Sequence, residues 1–519
     1  MKRPFRFSAS LLAMVTFCGC ASLEPGRDYE RAAQHVESAL GEPVSFYPED
    51  ESAIRRRVDE LLQEGLTVRE AVQVCLLNNP RVQAELLKIG VARADLVQSG
   101  LLSNPALSFA PRWPDGGGLS NLQLGLAQNI AELWQIPFRR RAAERDLDRT
   151  LLEVASHASA TAYQARLAYY RVLRDERASG IAKENEALTA RLVDLAVGRR
   201  DAGAGSDVDI QWARAQRADA KLRSANAALA VVESHAEFSR LLGLTAASTG
   251  VTLVDSLPQT SSLAITPFEL LDIARHARLD LKAAAMAVES AAARVDYERS
   301  RLIKSFELGV SAERNAQWSK SRGAGGLGLE GSAEITGDGL APSVSITPQS
   351  REPSRNEWVV GPSLNVELPI FDQNQAQIAK AEFVHRQATK LTEAIERDVQ
   401  RDAYTASARL KTAAENARLF REEIIPLRER VSTLGEDTYR AGRTTFLAVV
   451  QAQQTLQDAR AGLIGALEAY AAALVEVERV AGCPYNRIVQ LTLKAQTDRE
   501  QPRLLDSGVP TSMPAEAVP

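Results

Sequence analysis

The chain is written twice, and this duplication limits the folds open to it more than any other feature. Setting Ala202-Gly203 against Ala441-Gly442 without gaps brings Ala213 to Ala452, Ala220 to Ala459, Glu237 to Glu476, Arg240 to Arg479 and Gly243 to Gly482. Upstream, Leu66-Thr67-Val68-Arg69-Glu70 corresponds to Ile265-Thr266-Pro267-Phe268-Glu269, and Ala92 and Ala94 to Ala291 and Ala293. An alanine-rich chain supplies some matches by chance, but a glycine at both ends of the same gapless segment is harder to obtain that way. The sequence therefore predicts two tandem repeats, 55–245 and 266–483, joined by a Ser/Thr-rich linker at 246–265.

Each repeat reads in the order helix, hairpin, very long helix, tight turn, helix. In the first, an amphipathic helix is predicted from about Thr67 to Leu102. Strands follow at Ala106–Ala110 and Leu119–Ile130, around the turn residues Pro114, Asp115 and Gly116 to Gly118. After Pro137 the pattern stays helical to about Arg200. The second repeat answers with a helix from Asp372 to about Arg440, in which Pro426 predicts a kink. Between the hairpin strands of that repeat, 315–356 is a Gly/Ser/Pro-rich loop insert with no helical period.

The helices carry apolar stripes at alternating spacings of three and four. One contains Ile210, Ala213, Ala220, Ala227, Val231 and Phe238; another, offset on the same helix, contains Ala218, Leu222, Ala225, Leu229 and Val232. The second repeat places Val449, Ala452, Leu456, Ala459, Leu463, Ala466 and Tyr470 in the same way. Two stripes on one helix imply a neighbour on each side, and small alanines permit close approach. An ordinary helical bundle and a cylinder wall of side-by-side helices both satisfy this pattern. With aromatics at only 5% of the 519 residues and alanine heavily used, the composition favours long helices over large sheet cores.

The strands alternate strictly. Leu107 and Phe109, Leu122, Leu124 and Leu126, Phe306, Leu308 and Val310, and Leu364, Val366 and Leu368 are interleaved with polar or small residues. That suits a half-buried soluble sheet, and equally a barrel with lipid outside and water inside. Four strands cannot enclose a channel, and open edges are not tolerated in lipid, so a membrane sheet requires several chains. Three copies would supply twelve strands, within the known range for outer-membrane barrels.

At the N-terminus, Lys2, Arg3 and Arg6 precede an apolar stretch that ends in Phe17-Cys18-Gly19-Cys20. This reads as a signal peptide, 1–19, with an ending that resembles a bacterial lipobox and predicts acylation of Cys20. Ordinary cleavage near Ala21 is the alternative. Residues 20–54 then form a lipid-anchored N-terminal segment, and 484–519 a disordered tail. No segment after the signal is apolar enough for a spanning helix, so any spanning part is β.

Together these residues resemble the TolC-like outer membrane efflux proteins over nearly the whole mature chain. The resemblance is carried by Leu66-Thr67-Val68-Arg69-Glu70-Ala71 with Asn78-Asn79-Pro80, by Leu368-Pro369-Ile370-Phe371-Asp372 with Ala376-Gln377-Ile378-Ala379, and by Tyr439-Arg440-Ala441-Gly442 with Gln451-Ala452-Gln453. It implies a mainly α fold with a small membrane β part. In this family a homotrimer forms a twelve-stranded barrel in the outer membrane and a twelve-helix periplasmic tunnel. It further implies a passive exit duct, partnered by a periplasmic adaptor and an inner-membrane pump, most often of the RND type, with outer-membrane lipid around the barrel. Gly90 to Pro105 resembles the branch that serves heavy-metal pumps. The turns at Gly203 and Gly442 would form the periplasmic tip, with Asp207, Asp209 and Arg443 as candidates for closing it. Where the family's founding member has two lumen-facing aspartates, this chain has Ala448 and Gln451, which puts an acidic, cation-binding ring in doubt.

Other functions find less support. A net charge of −4 gives no general reason to bind nucleic acid. Five scattered histidines lack metal-ligand spacing, and no nucleophile–base constellation is present, so neither a metal site, a cofactor nor an enzyme is predicted. Cys75 and Cys483 would both lie in an oxidising compartment, where two buried free thiols and a disulfide are both open. The rivals are the outer membrane component of a type I protein secretion system and a soluble periplasmic coiled-coil adaptor, the latter disfavoured by the strands.

Overall fold

The structure, a computed structural model, describes residues 23–43, 51–63, 65–113, 121–203, 205–245, 251–260, 265–315, 327–336, 339–348 and 357–500. Helix α1 (Gly26–Leu40) precedes the first predicted repeat, and α2 (Glu51–Gln63) runs into it. The first repeat comprises α3 (Val68–Asn78), α4 (Pro80–Ser99), β1 (Ala106–Arg112), β2 (Asn121–Asn129), α5 (Glu132–Asp201) and α6 (Asp207–Leu241). The second comprises α7 (Pro267–Ala277), α8 (Leu279–Ser300), β3 (Phe306–Asn315), β4 (Leu327–Thr336), β5 (Gly339–Pro348), β6 (Glu357–Val366), α9 (Gln375–Leu419), a π turn (Phe420–Ile424), α10 (Ile425–Arg440) and α11 (Phe446–Ala481). Helix α12 (Tyr485–Glu500) ends the described chain.

The chain forms two compact units, and these are not the repeats. One takes residues up to Ala32, Ala84–Ala155 and Asp280–Ile395; the other takes Ala33–Gln83, Ser156–Leu279 and residues from Glu396 onward. The first unit contains the main sheet, antiparallel in the order β1-β2-β3-β6. Its register collects the alternating apolar residues on one face. Leu107, Leu126, Val310 and Pro362 form one cross-strand row, and Phe109, Leu124, Ala312 and Val360 the next. The other face carries Ser108, Gly125, Ser311 and Gly361, then Gln123 and Glu313, then Asn129, Glu307 and Asn365. Among the described residues nothing covers the apolar face: Leu107 is 76% exposed, Phe109 64% and Val360 62%. Strands β1 and β6 each have one edge unpaired among the described strands. The crossing from β6 into α9 is fixed by Asn374, at φ 61°, whose amide donates to the Glu298 carbonyl at 2.7 Å.

Among the described residues the second unit has three apolar clusters. Leu66, Val74, Cys75, Tyr169, Val172, Phe238 and Leu242 belong to one, while Leu270, Ala403, Leu410, Tyr470, Val477, Cys483 and Ile488 belong to another. The third lies at the helix turns. Both repeats open this unit in the same way, because Thr67 with Glu70 and Thr266 with Glu269 form matching capping boxes for α3 and α7. Cys75 and Cys483 are free and buried in different clusters, where burial pushes their thiols up to about 12 and about 11.

A buried ionic junction fastens the end of the N-terminal segment. Arg166 donates to Glu478 at 2.5 Å and to Glu42 and the Leu40 carbonyl at 3.4 Å, and Arg69 lies 3.4 Å from Glu42. Burial raises the Glu42 carboxyl above the usual range, against the opposing pull of Arg166 and Arg69.

Several expectations are corrected. The helix predicted from Thr67 to Leu102 is two helices, because Asn79, the residue before Pro80, takes an extended ψ of 118° that helix cannot continue through. Two β-strands stand within the 315–356 insert: β4 pairs antiparallel with β5 from Leu327↔Pro348 to Thr336↔Gly339, and the alternation of Leu327, Leu329 and Ile335 with Gly328, Glu330 and Glu334 accounts for them. The predicted tail begins as α12, because Ile488 is fully buried in the second cluster; residues 501–519 lie outside the described residues. The N-terminal segment contains α1 and the start of α2, whereas the predicted signal and Cys20 lie outside the described residues. The linker is anchored over part of its length. Leu66 donates to the Thr252 carbonyl at 2.8 Å, Val254 donates to the Leu66 carbonyl at 3.1 Å, and Asp255 accepts from the Val68 N–H at 2.7 Å.

Candidate functional site

The two helix turns of the second unit are built alike. Helix α5 ends where Gly203 takes φ 71° and donates to the Arg200 carbonyl at 2.9 Å. Helix α10 ends where Gly442 takes φ 71°, donating to Tyr439, and Arg443 donates to the Thr438 carbonyl, each at 2.9 Å. Such left-handed caps favour glycine because a Cβ meets the carbonyl there.

These turns are held together by an apolar cluster drawn from both repeats: Leu192, Val193 and Ala196 of α5, Ile210 and Ala213 of α6, Tyr439 of α10, and Phe446, Val449 and Val450 of α11. One polar clasp crosses between the repeats at its edge. Arg199 donates to the Tyr439 carbonyl at 2.9 Å, and its guanidinium lies 4.2 Å from the centre of the Tyr439 ring. Tyr439 also packs on Phe446, ring centres 5.8 Å apart. Further along, Gln454 reaches Gln216 across the repeats, and Gln453 reaches Glu436 within the second. A cleft of mixed character beside these glutamines is lined by Asn185, Asp219 and Arg223 together with Leu188, Leu192 and Val450.

The sequence-predicted candidates sit around this clasp without making it. Asp209 is spent in the capping box of its own helix, accepting from the Ser206 N–H at 3.2 Å. Asp207 lies 3.5 Å from Arg200 of the same repeat. Arg443 is exposed and makes no ion pair among the described residues. Ala448 is half-buried and Gln451 exposed, so neither joins the cluster. Arg199 went unread in the sequence. Its available signal was a basic residue in the last turn of α5 opposite an aromatic three residues before Gly442. Among the described residues no group of His, Cys, Asp and Glu could hold a metal ion, and no helix is long and apolar enough to cross a membrane.

A sheet with one bare apolar face, and with edges unpaired among the described strands, suits a membrane barrel shared between chains. The comparisons agree. Residues 270–483 match the family described as outer membrane efflux protein. The cobalt-zinc-cadmium resistance protein CzcC of Cupriavidus metallidurans is 23% identical over 427 residues, covering 80% of this chain and 90% of that one. Among solved structures, the outer membrane protein VceC of Vibrio cholerae matches with a TM-score of 0.60 at 14% identity, covering 80% of this chain and 96% of that one. CusC matches with the same TM-score and identity over 80% of this chain and 92% of its own. The chain thus has the fold of these channels, and its residues 270–483 carry the sequence match to the outer membrane efflux protein family.

Proposed function

We propose that three copies of this chain form the exit duct of a tripartite efflux system. Substrate is handed over by an inner-membrane pump of the RND type through a periplasmic adaptor, and the chain itself catalyses nothing. The single observation that carries this reading is the four-stranded sheet, whose apolar face is bare and whose edges on β1 and β6 are open. Three such sheets joined edge to edge satisfy every strand and turn the apolar rows toward lipid. The same face counts against a soluble adaptor. Acylation of Cys20 would anchor the chain in the outer membrane, and Cys20→Ser should lose incorporation of a labelled fatty acid.

The proposed cargo is heavy-metal cations, supported by the likeness to CzcC along most of both chains and by the Gly90–Pro105 segment. A deletion strain grown across graded zinc, copper, cobalt and silver, alongside a drug panel, tests this. Selective metal sensitivity restored by the intact gene is the expected result. Sensitivity to drugs alone would move the cargo to organic compounds and leave the duct in place.

The clasp of Arg199 on Tyr439 is the proposed lock of the tip. Together, a charge-assisted hydrogen bond and a cation–π contact at a partly exposed site amount to about 2 kcal/mol. In single-channel recordings Arg199→Ala should therefore raise the open fraction, and Arg199→Lys should do so less because Lys keeps a charge but not the flat contact. Unchanged gating in Arg199→Ala would remove the clasp from the mechanism.

A further inference from the structure

Three arginines follow one another near the start of α5, and the fold gives them different work. Arg139 turns toward α4 and donates to the Ser99 carbonyl at 2.7 Å and the Leu101 carbonyl at 2.6 Å, closing the end of that helix. Arg140 and Arg141 are exposed. Arg140 reaches Glu144 of its own helix at 3.0 Å, whereas Arg141 has no hydrogen bond or ion pair among the described residues. Other arginine runs are spent locally. Arg199 holds Tyr439 and Arg200 pairs with Asp201, while Arg55 and Arg57 pair with Glu51 and Glu60 inside α2.

Ahead of the exposed pair, the same side of α5 is apolar. Leu133, Trp134, Pro137 and Phe138 are exposed, while Gln135 is buried and donates to the Ile303 carbonyl at 2.8 Å. Trp134, Phe138 and Arg141 recur at spacings of four and three, so they share one stripe. Trp134 fixes which way that stripe faces, because its ring centre lies 6.3 Å from that of Phe306. Phe306 opens β3 and belongs, by alternation with Leu308 and Val310, to the bare apolar face of the sheet, whose far end carries Trp358. With a rise of about 1.5 Å per residue, Arg141 stands about 10 Å beyond Trp134 along the helix. The surface therefore passes from apolar rows to aromatic rings to arginines. Helix α5 continues from β2, an inner strand, and so starts away from the edges on β1 and β6 where another copy would join.

We propose that Arg140 and Arg141 bind the phosphate of an anionic phospholipid in the leaflet nearest the helices, with Trp134 and Phe138 seated at the hydrocarbon boundary. Aromatic rings settle at that boundary, and the headgroup zone begins within a few ångströms of it, so cations about 10 Å further along reach the phosphates. The guanidinium fork matches a phosphate in two hydrogen bonds. The exposed pair with Glu144 is weak enough for a phosphate to replace it. A zwitterionic lipid brings its own ammonium into the site, where it repels the two arginines; a lipid with net negative charge does not. The inference rests on the exit-duct reading, which supplies the membrane, and adds which lipid lies against the chain.

Full-length protein in mild detergent tests this when offered equimolar phosphatidylglycerol and phosphatidylcholine of matched chains, with the retained lipid counted by native mass spectrometry. Phosphatidylglycerol should be retained in about tenfold excess. The excess should fall toward none in Arg140→Gln/Arg141→Gln and persist in part in Arg140→Lys/Arg141→Lys. It should be unchanged in Arg428→Gln/Arg430→Gln, which removes two exposed arginines from α10 in the other compact unit. Equal retention of both lipids by the unaltered protein, an undiminished excess in the first variant, or an equal fall in the α10 variant would overturn the site. Inorganic phosphate equimolar with the lipid should leave the excess in place, and its loss would make this a free-anion site rather than a lipid site. Protein that stays in solution once detergent is removed would sink the exit-duct reading and this site with it. Protein that needs detergent yet shows no lipid preference loses this site alone.

Discussion

Gly243 and Gly482 occupy equivalent places at the ends of α6 and α11, and both take φ 70°. A Cβ on Gly243 would stand 2.3 Å from the Asn78 carbonyl oxygen, and one on Gly482 would stand 2.8 Å from the backbone of Arg278. Gly203 has a similar φ with nothing within 4 Å. Denaturant unfolding should therefore separate the two kinds of glycine. Gly243→Ala should lose about 2–4 kcal/mol through strain plus collision, and Gly203→Ala only about 1 kcal/mol through strain; equal losses would contradict the steric account. The pairing of these glycines was legible in the sequence because only glycine satisfies both demands. Asp207, Asp209 and Arg443 were read as the closing residues because they are charged and near a turn. Their local uses, a capping box and an ion pair to a neighbouring arginine, depend on backbone geometry that the composition of a turn does not reveal. Glu42 is a pH probe of the N-terminal junction. Its raised carboxyl means that burying the ionised form costs stability, so the contribution is present at low pH and lost as pH rises through the raised value. Mild acidification, from neutral toward the ordinary glutamate range, should slow protease cleavage at 33–43, and Glu42→Gln should flatten that dependence; faster cleavage on acidification would reverse the assignment.

Among the elements, the strands were legible because a period of two survives in short segments, and the register then set every apolar residue of one face in rows. A charge placed in the middle of those rows should cost about 2–4 kcal/mol in lipid. Leu126→Arg should therefore reduce assembly into the outer membrane, measured as heat-resistant oligomer in membrane fractions, whereas Gln123→Ser on the opposite face should not. Equal loss from both would argue against a lipid-facing row. The β4–β5 hairpin escaped notice because glycine, serine and proline dominate the insert and mask an alternation that is present. Pro426 was read as a kink, but the π turn just before it needs one residue more than a regular helix, and a surplus residue has no composition of its own.

For the whole molecule, the compact units do not follow the predicted repeats. Each compact unit draws on both repeats, since α5 and α9 both begin in one unit and end in the other. The proposed oligomer rests on the unpaired edges rather than on any repeat. Purified protein in mild detergent should run as a trimer that boiling converts to single chains, and a stable monomer in aqueous buffer would be incompatible with the bare sheet face.

The stretch between the predicted repeats bears on how the chain can be divided. Thr252 and Val254 add a strand-like pairing to Leu66, and Asp255 binds both the first turn of α3 and the hydroxyl of Tyr169. A first half ending at residue 245 would therefore lack the residues that brace its own opening helix, so a severed half is not the same object as half of the intact molecule.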